Sequence, residues 1–266
     1  MMASHRDREN GIPPKRVALF GAGFVGSPLA RSLEFRGHDI TIFGRDRFDA
    51  LGDDAPDLRG FDVVINLIGT PIAPPWTRRK MRLIRDSRVL SSRKLSRAAN
   101  AAKAFYVQSS GVGSSGFLGR LRDDWESSVS AERSAICRFG LVIGDGGLLA
   151  SFKPLFMFGL GGVFGRDDQV LAWIPLERLV EELVSIIEDE RSGTFELGKE
   201  IAARAFYRGI AKGMKRPCFF RYPEWLLRIV MPRSHELLTK STPLRYGLDF
   251  DDRIEDVVRA SSIESE

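Results

Sequence analysis

Residues 16–26 read RVALFGAGFVG. The first five, Arg16–Phe20, form a short apolar run of strand length. They lead into Gly21, Gly23 and Gly26, the G-x-G-x-x-G spacing. SPLARSLEFRG follows. There Val25, Leu29 and Leu33 recur at i, i+4 and Gly37 supplies a stop signal, so a helix is predicted. DITIF at 39–43 predicts the next strand. Strand, glycine loop, helix and strand make a βαβ unit. In that setting Gly21 permits the tight turn, Gly23 lets the backbone approach a pyrophosphate, and Gly26 allows close helix–strand packing. The free N–H groups at the helix start favour an anion. The unit therefore predicts a dinucleotide site; its plainer reading is a glycine-rich structural turn.

The end of the second strand bears on which dinucleotide. NAD sites usually place an Asp or Glu there for the ribose hydroxyls. Here ITIF runs into Gly44 and Arg45, with Asp46 behind. The planar fork of an arginine suits a 2′-phosphate, so the expected cofactor is NADP rather than NAD. The plainer reading of Arg45 is a solvated loop charge.

Working outward, DVVINLIG (62–69) is nearly all apolar, as parallel strands covered on both faces are. A long helix is predicted over 77–103. Strands are predicted at AFYVQSS (104–110), AICRFGLVI (135–143) and TFELG (194–198). Leu176, Leu179, Val180, Leu183, Val184 and Ile187 mark an amphipathic helix. EWLLRIVMP and DRIEDVVRA predict short helices near the end. Alternating strands and helices predict an α/β class, an NAD(P)-binding Rossmann fold with a doubly wound parallel sheet. The expected division is a disordered tail (1–15), an NADP-binding domain (16–150) and a C-terminal part (151–266). That last part would hold the final sheet elements and a smaller substrate lobe over the sheet's carboxyl edge.

The long helix carries seven arginines. Arg78, Arg79, Arg82, Arg93 and Arg97 fall on the face opposite Met81, Ile84, Ser91, Leu95, Ala98 and Ala102, where they read as a solvated surface. Arg88 projects inward with Ile84, Ser91 and Leu95. A buried arginine needs a carboxylate, carbonyls or a bound anion. It is either a structural tie to the sheet or an anion-binding group for substrate or cofactor.

Composition narrows the class. The chain has 266 residues, 43% hydrophobic and 28% charged, ordinary values for a globular protein. No apolar run reaches the roughly 18–20 residues that cross a bilayer, and the amino-terminal MMASHRDRENGIPPKR lacks the apolar region of a secretory signal. Cys137 and Cys218 form no disulfide framework, and His5, His38 and His235 show no metal pattern. A cytoplasmic, reducing location and no metal are expected. Net charge is +5 with a pI near 9.4. The excess is modest and has no basic tail, so the expected partner is a small-molecule substrate, with neither nucleic acid nor membrane.

Several stretches together resemble one family: NLIGTPIAPPWTRRKMRLIRDSRV, RDDWESSV, GLVIGDGGLL, FGLGGVFGRDDQVLAWIPLERLV and YGLDFDD. They are similar to the atypical "epimerase family" proteins, extended short-chain dehydrogenase/reductases related to nucleoside-diphosphate-sugar epimerases. The resemblance spans about residues 16–259. It implies a Rossmann fold, an NADP site and a C-terminal substrate lobe. It carries over Gly21, Gly23, Phe24, Val25 and Gly26 for the pyrophosphate and Arg45 for the 2′-phosphate. It places Leu67, Ile68 and Gly69 along the adenosine and ribose side. Two departures stand out. The family's first glycine is Phe20 here, and its Trp-Ile-His-x-Asp-Asp run is Trp173, Ile174, Pro175, Leu176, Glu177 and Arg178. Gln169 and Trp173 still match and are expected to line the substrate pocket; the alternative for Trp173 is core packing.

Most short-chain reductases use a Ser, Tyr and Lys set: the tyrosine exchanges the proton, the lysine lowers its pKa and holds the ribose, and the serine polarises the carbonyl oxygen. Glu126 resembles the glutamate that follows the family's lysine; counting back from it puts Arg122 at the lysine position and Leu118 at the tyrosine position, while Ser110 matches the serine. Leu118 exchanges no proton. Arg122 can fix a ribose hydroxyl but is no acid at neutral pH. Some relatives carry a Tyr-Tyr pair in this loop, where Ser114 and Ser115 stand here. Ser109, Ser110 and Arg122 are thus expected at the cofactor, and no catalytic residue is assigned. Three functions follow: an NADP-dependent oxidoreductase or epimerase whose proton comes from the C-terminal lobe or a water; a low-turnover NADP-binding sensor or scaffold; and, last, nucleic-acid binding through the arginine-rich helix. The GGVFG…QVLAW region, which looks like a retained pocket, favours the first.

Overall fold

The structure is a computed structural model, which describes residues 12–44, 48, 54–113, 115–166 and 168–263, without the side chains of 262 and 263. Residues 1–11 of the expected tail lie outside these. Lys15, read above as tail, is instead anchored. Its N–H donates to His38 Nδ1 at 3.1 Å and its ammonium pairs with Glu190 at 2.5 Å.

Arg16–Phe20 is strand β1, Gly26–Phe35 helix α1 and Asp39–Phe43 strand β2. β3 (Val63–Asn66) precedes α2 (Arg78–Ala102), followed by β4 (Phe105–Gly111), α3 (Gly116–Glu126), β5 (Ser134–Phe139) and β6 (Leu141–Ile143). Then come α4 (Gly147–Met157), β7 (Gly162–Phe164), β8 (Val170–Pro175), α5 (Leu176–Glu188), β9 (Gly193–Leu197) and β10 (Lys199–Ala202). The last elements are α6 (Ala203–Gly213), β11 (Phe220–Tyr222), α7 (Glu224–Val230), α8 (Glu236–Thr239) and α9 (Ile254–Ile263).

A six-stranded parallel sheet in the order β2-β1-β3-β4-β5-β9 forms the centre. Its inner strands are buried along almost every residue, which is why they read as apolar runs instead of alternating ones. The largest core cluster joins α1, α5 and the sheet to the C-terminal elements through Leu29, Leu33, Leu179, Leu183, Phe206 and Tyr207, among others. The α2 boundaries match the sequence reading. Thr77 Oγ1 accepts from Lys80 N–H at 3.1 Å as the cap, and Lys103 closes the helix in the left-handed region (φ 58°).

One predicted element divides. AICRFGLVI is not a single strand: β5 lies in the central sheet, while β6 joins β8 and β10 in a second sheet. Gly140 is the point of transfer. A Cβ there would come within 2.9 Å of the Ala172 backbone in β8, so only glycine lets the chain cross so close to its neighbour. A third, two-stranded sheet pairs β7 with β11.

Candidate functional site

The strand order reverses at β1 and β3: the chain leaves β1 toward β2 and β3 toward β4, on opposite sides. In open α/β sheets, ligands bind in the crevice beyond the carboxyl ends of the strands at such a point. The two loops that emerge here touch. Gly21 takes a φ of +100°, and a Cβ on it would lie 2.7 Å from the Leu67 carbonyl carbon. A Cβ on Gly26 would overlap the Gly21 carbonyl oxygen, so helix and strand meet with no room for a side chain. At Gly23 nothing stands within 4 Å of the Cβ position. The protein itself makes no demand for glycine there; the demand would come from a ligand lying over the loop.

Phe24 points elsewhere. Its ring packs on the loop after β6, where Cβ atoms on Gly146 and Gly147 would approach it to 3.1 and 2.7 Å. Val25 is the residue that precedes α1. Arg45 and Asp46 lie outside the described residues, as does Ser114.

A buried polar network supports the Leu67–Gly69 loop from below. Asn66 is fully buried. Its amide nitrogen lies 3.1–3.4 Å from the Tyr106 hydroxyl, Gln108 Oε1, Ser91 Oγ and Ser92 Oγ. Its Oδ1 accepts from the Ile68 N–H at 3.1 Å. Burial pushes the Tyr106 phenol up, so it stays protonated and donates to Gln108 Oε1 at 2.5 Å. Ser109 Oγ donates to the Asn66 carbonyl at 3.0 Å. It therefore ties β4 to β3, and its hydroxyl proton is spent on the backbone.

Arg88 turns inward as its helical position requires. Its guanidinium stacks against Gly69, where a Cβ would come within 2.8 Å of it, and sits 5.1 Å above the Trp125 ring. It donates to the carbonyls of Thr70 (2.9 Å) and Ile84 (3.1 Å), and no carboxylate pairs with it among the described residues. Burial lowers its pKa to about 10, which still leaves it charged at neutral pH. Both carbonyls make it a tie between α2 and the loop after β3. The five outward arginines of α2 are exposed.

The serine position is committed to a carboxylate. Ser110 Oγ donates to Glu126 Oε1 at 2.7 Å. Glu126 receives a bidentate pair from Arg138 (2.8 and 2.7 Å), and Arg138 also reaches Glu196 at 3.3 Å. Glu196 in turn accepts from the N–H groups of Arg245 (2.5 Å) and Tyr246 (3.0 Å). The chain of contacts thus runs from β4 to the C-terminal segment. Burial alone would raise the Glu196 pKa, but those two N–H groups and Arg138 more than offset it, and the carboxyl titrates below its ordinary 4.5. A depressed folded-state pKa gives stability that is full above the unfolded value and lost as pH falls through the folded one. Melting temperature should therefore fall on acidification below about pH 4.5, and Glu196→Gln should flatten that part of the curve. An unchanged slope in the variant would assign the acid sensitivity elsewhere.

Leu118 stands within an apolar cluster with Trp76, Ile84, Leu121 and Leu237. Arg122 pairs with its neighbour Asp123 at 2.7 Å. The start of α3 is covered by the C-terminal segment: Glu236 Oε2 accepts from the Phe117 N–H at 2.8 Å, while Ser115 makes no side-chain cap. A carboxylate at a helix N-terminus is well placed electrostatically.

Gln169 is buried. Its Nε2 donates to the carbonyls of Leu238 (2.9 Å) and Lys240 (3.2 Å), but its Oε1 has no partner. Ser234 Oγ, His235 Nδ1 and Thr239 Oγ1, all from the segment that Gln169 grips, are likewise buried and unpartnered. Sequence reasoning missed this segment, because no spacing links residue 169 to 234–239. Trp173 is only 3% exposed and meets Phe250 edge-on at 5.4 Å, an arrangement that fits the core-packing alternative.

No family model matches the chain. It is 29% identical over 251 residues to an epimerase family protein of Mycobacterium bovis, covering 80% of this chain and 83% of that protein. It is 26% identical over 254 residues to the epimerase family protein SDR39U1 of Bos taurus, covering 82% and 86%. The crystal structure of human epimerase family protein SDR39U1 (isoform 2) with NADPH superposes with a TM-score of 0.80 at 22% identity, covering 93% of this chain and 99% of that one. A dTDP-4-dehydrorhamnose reductase of Bacillus anthracis in complex with NADP gives 0.68 at 14% identity, covering 95% and 100%. The chain thus resembles the epimerase family proteins over most of its length and has the Rossmann-type fold of these structures.

Proposed function

We propose that this relative of the epimerase family proteins is an NAD(P)-binding protein of the short-chain dehydrogenase/reductase type. Its cofactor is NADP, and it is an oxidoreductase or epimerase acting on a carbonyl or nucleotide-sugar substrate. The observation that carries the reading is the crevice at the β1/β3 reversal. There two touching loops leave one glycine, Gly23, with open space where its side chain would be. Gly21, Gly23 and Gly26 would hold the pyrophosphate, Arg45 the 2′-phosphate, and Leu67–Gly69 the adenosine side. Bound NADPH would supply the hydride; the chain has to orient the substrate and provide the proton.

Leu118 cannot provide it. The support for a substrate site lies in the segment 234–239. A buried polar atom without a partner costs roughly 1–3 kcal/mol, so the four such atoms on Gln169 and on the segment it bonds to suit a place that a polar ligand or water completes. His235 is the titratable side chain among them. A second reading, a low-turnover sensor or scaffold, draws on the apolar surroundings of Leu118 and on the Ser110–Glu126 bond.

Titration with each cofactor tests the first element. Arg45→Ala should weaken NADPH by about 10–100-fold, the worth of a charge-assisted contact, with NADH changed far less. Equal losses would remove the NADP assignment. A panel of carbonyl and nucleotide-sugar compounds, followed at the nicotinamide absorbance band, separates the two readings: oxidation of bound NADPH supports the enzyme, and tight binding with no oxidation across the panel supports the sensor.

A further inference from the structure

The C-terminal lobe carries a surface that the cofactor reading leaves unused. β7 and β11 pair side by side, and the Tyr222 hydroxyl donates to the Leu160 carbonyl at 2.8 Å. α7 follows directly after Pro223, with Leu227 turned into the core. Around this seam large apolar side chains stand in solvent: Phe158 is 82% exposed, Phe219 84%, Trp225 65% and Ile229 69%. Of the thirteen exposed large apolar residues among the described residues, eight fall within 157–160 and 219–230. On α7, Trp225, Arg228 and Ile229 are spaced i, i+3, i+4 and share the face opposite Leu227. Patches of this kind mark interaction sites.

The charge on one stretch of the same lobe is one-sided. Residues 203–235 hold eight Lys or Arg and one acidic residue, Glu224, an excess of seven where the whole chain has five. Arg204, Arg208 and Lys212 line the exposed face of α6 at i, i+4, i+8, and Lys215, Arg216 and Arg233 are exposed after it. Lys212 and Arg228 have acidic neighbours, Glu255 and Glu224.

We propose that this lobe docks on the surface of an anionic lipid bilayer. Basic elements bearing Trp, Phe and aliphatic residues settle at the headgroup boundary, combining apolar burial with attraction to anionic lipid. Other occupants fit less well. The aliphatic Ile229 and Val230 beside the exposed rings suit an acyl boundary better than the polar groove of a nucleic acid, and a second copy would set one basic stretch against another. The docking is peripheral: among the described residues, no helix is long and apolar enough to cross a membrane. It revises the composition-based expectation of no membrane partner, which considered only spanning segments and net charge.

Vesicle co-sedimentation of the full chain tests the proposal. Binding is expected to vesicles of phosphatidylcholine mixed with phosphatidylglycerol, weakening steeply as salt is raised, and not to phosphatidylcholine alone. Phe219→Ser with Trp225→Ser, and separately Lys215→Glu with Arg216→Glu, should each reduce binding about ten-fold or more. Both double variants should melt like the parent and keep its NADPH affinity, because these side chains are exposed and lie off the glycine loops. No sedimentation with anionic vesicles at low salt, equal binding to neutral vesicles, or parental binding by both double variants would overturn it. So would a nucleic-acid complex or a dimer lost in those same variants, which would assign the surface to that partner.

Discussion

Gly26→Ala is expected to lower the melting temperature by about 5–10 °C, corresponding to about 2–4 kcal/mol for a chain of this size. The added methyl would overlap the Gly21 carbonyl oxygen, a backbone atom that cannot rotate away. Either α1 must move off β1 or the Gly21 turn must open, and Gly21 is itself pinned against Leu67. Both movements deform the crevice, so NADPH affinity should fall by more than about ten-fold alongside stability. Gly23→Ala is the matching control. Its methyl would enter open space, so thermal melting should stay near parental while NADPH titration still shows a loss. Parental melting of Gly26→Ala would mean that helix and strand meet less closely than the geometry requires. Parental NADPH affinity of Gly23→Ala would remove the pyrophosphate from this loop.

Asn66→Ala should be at least as costly, at about 3–5 kcal/mol in urea unfolding. The amide is fully buried and is the hub between β3, α2 and β4. Its removal strands the Ile68 N–H and takes a donor from the Tyr106–Gln108–Ser92 group, and it leaves a small cavity as well. Tyr106→Phe removes one hydroxyl while Gln108 Oε1 keeps Ser92 as a donor at 2.6 Å, so about 1 kcal/mol is expected there. The contrast between the two variants is the measurement. Similar losses would mean that Asn66 contributes no more than one hydrogen bond. Because Ile68 lies in the loop that would face the adenosine side, Asn66→Ala should also weaken NADPH.

The sequence carried the βαβ unit, the ends of α2 and the inward turn of Arg88. These depend on positions a few residues apart: glycine spacing and helical period. Local geometry alone decides such features, so they survive without knowledge of neighbours. The reading of Leu118 and Arg122 as the tyrosine and lysine positions rests instead on the family resemblance of Glu126, from which their offsets are counted.

Only the tertiary structure decided what surrounds those positions. Ser110 meets Glu126, Arg138 meets Glu196, and Glu236 caps a helix 119 residues before it. The break at Gly140 follows from the nearness of β8, and the unpartnered group at Gln169 and 234–239 follows from a segment folded over it. Those pairings are set by sheet order and by the path of the C-terminal segment, which bring together residues with no periodic relation along the chain. The sequence determined by itself the βαβ unit and the glycine spacing at its first turn, because both rest on residues a few positions apart. The packing of distant segments decided which groups are already spent on one another and which buried polar atoms are left without a partner.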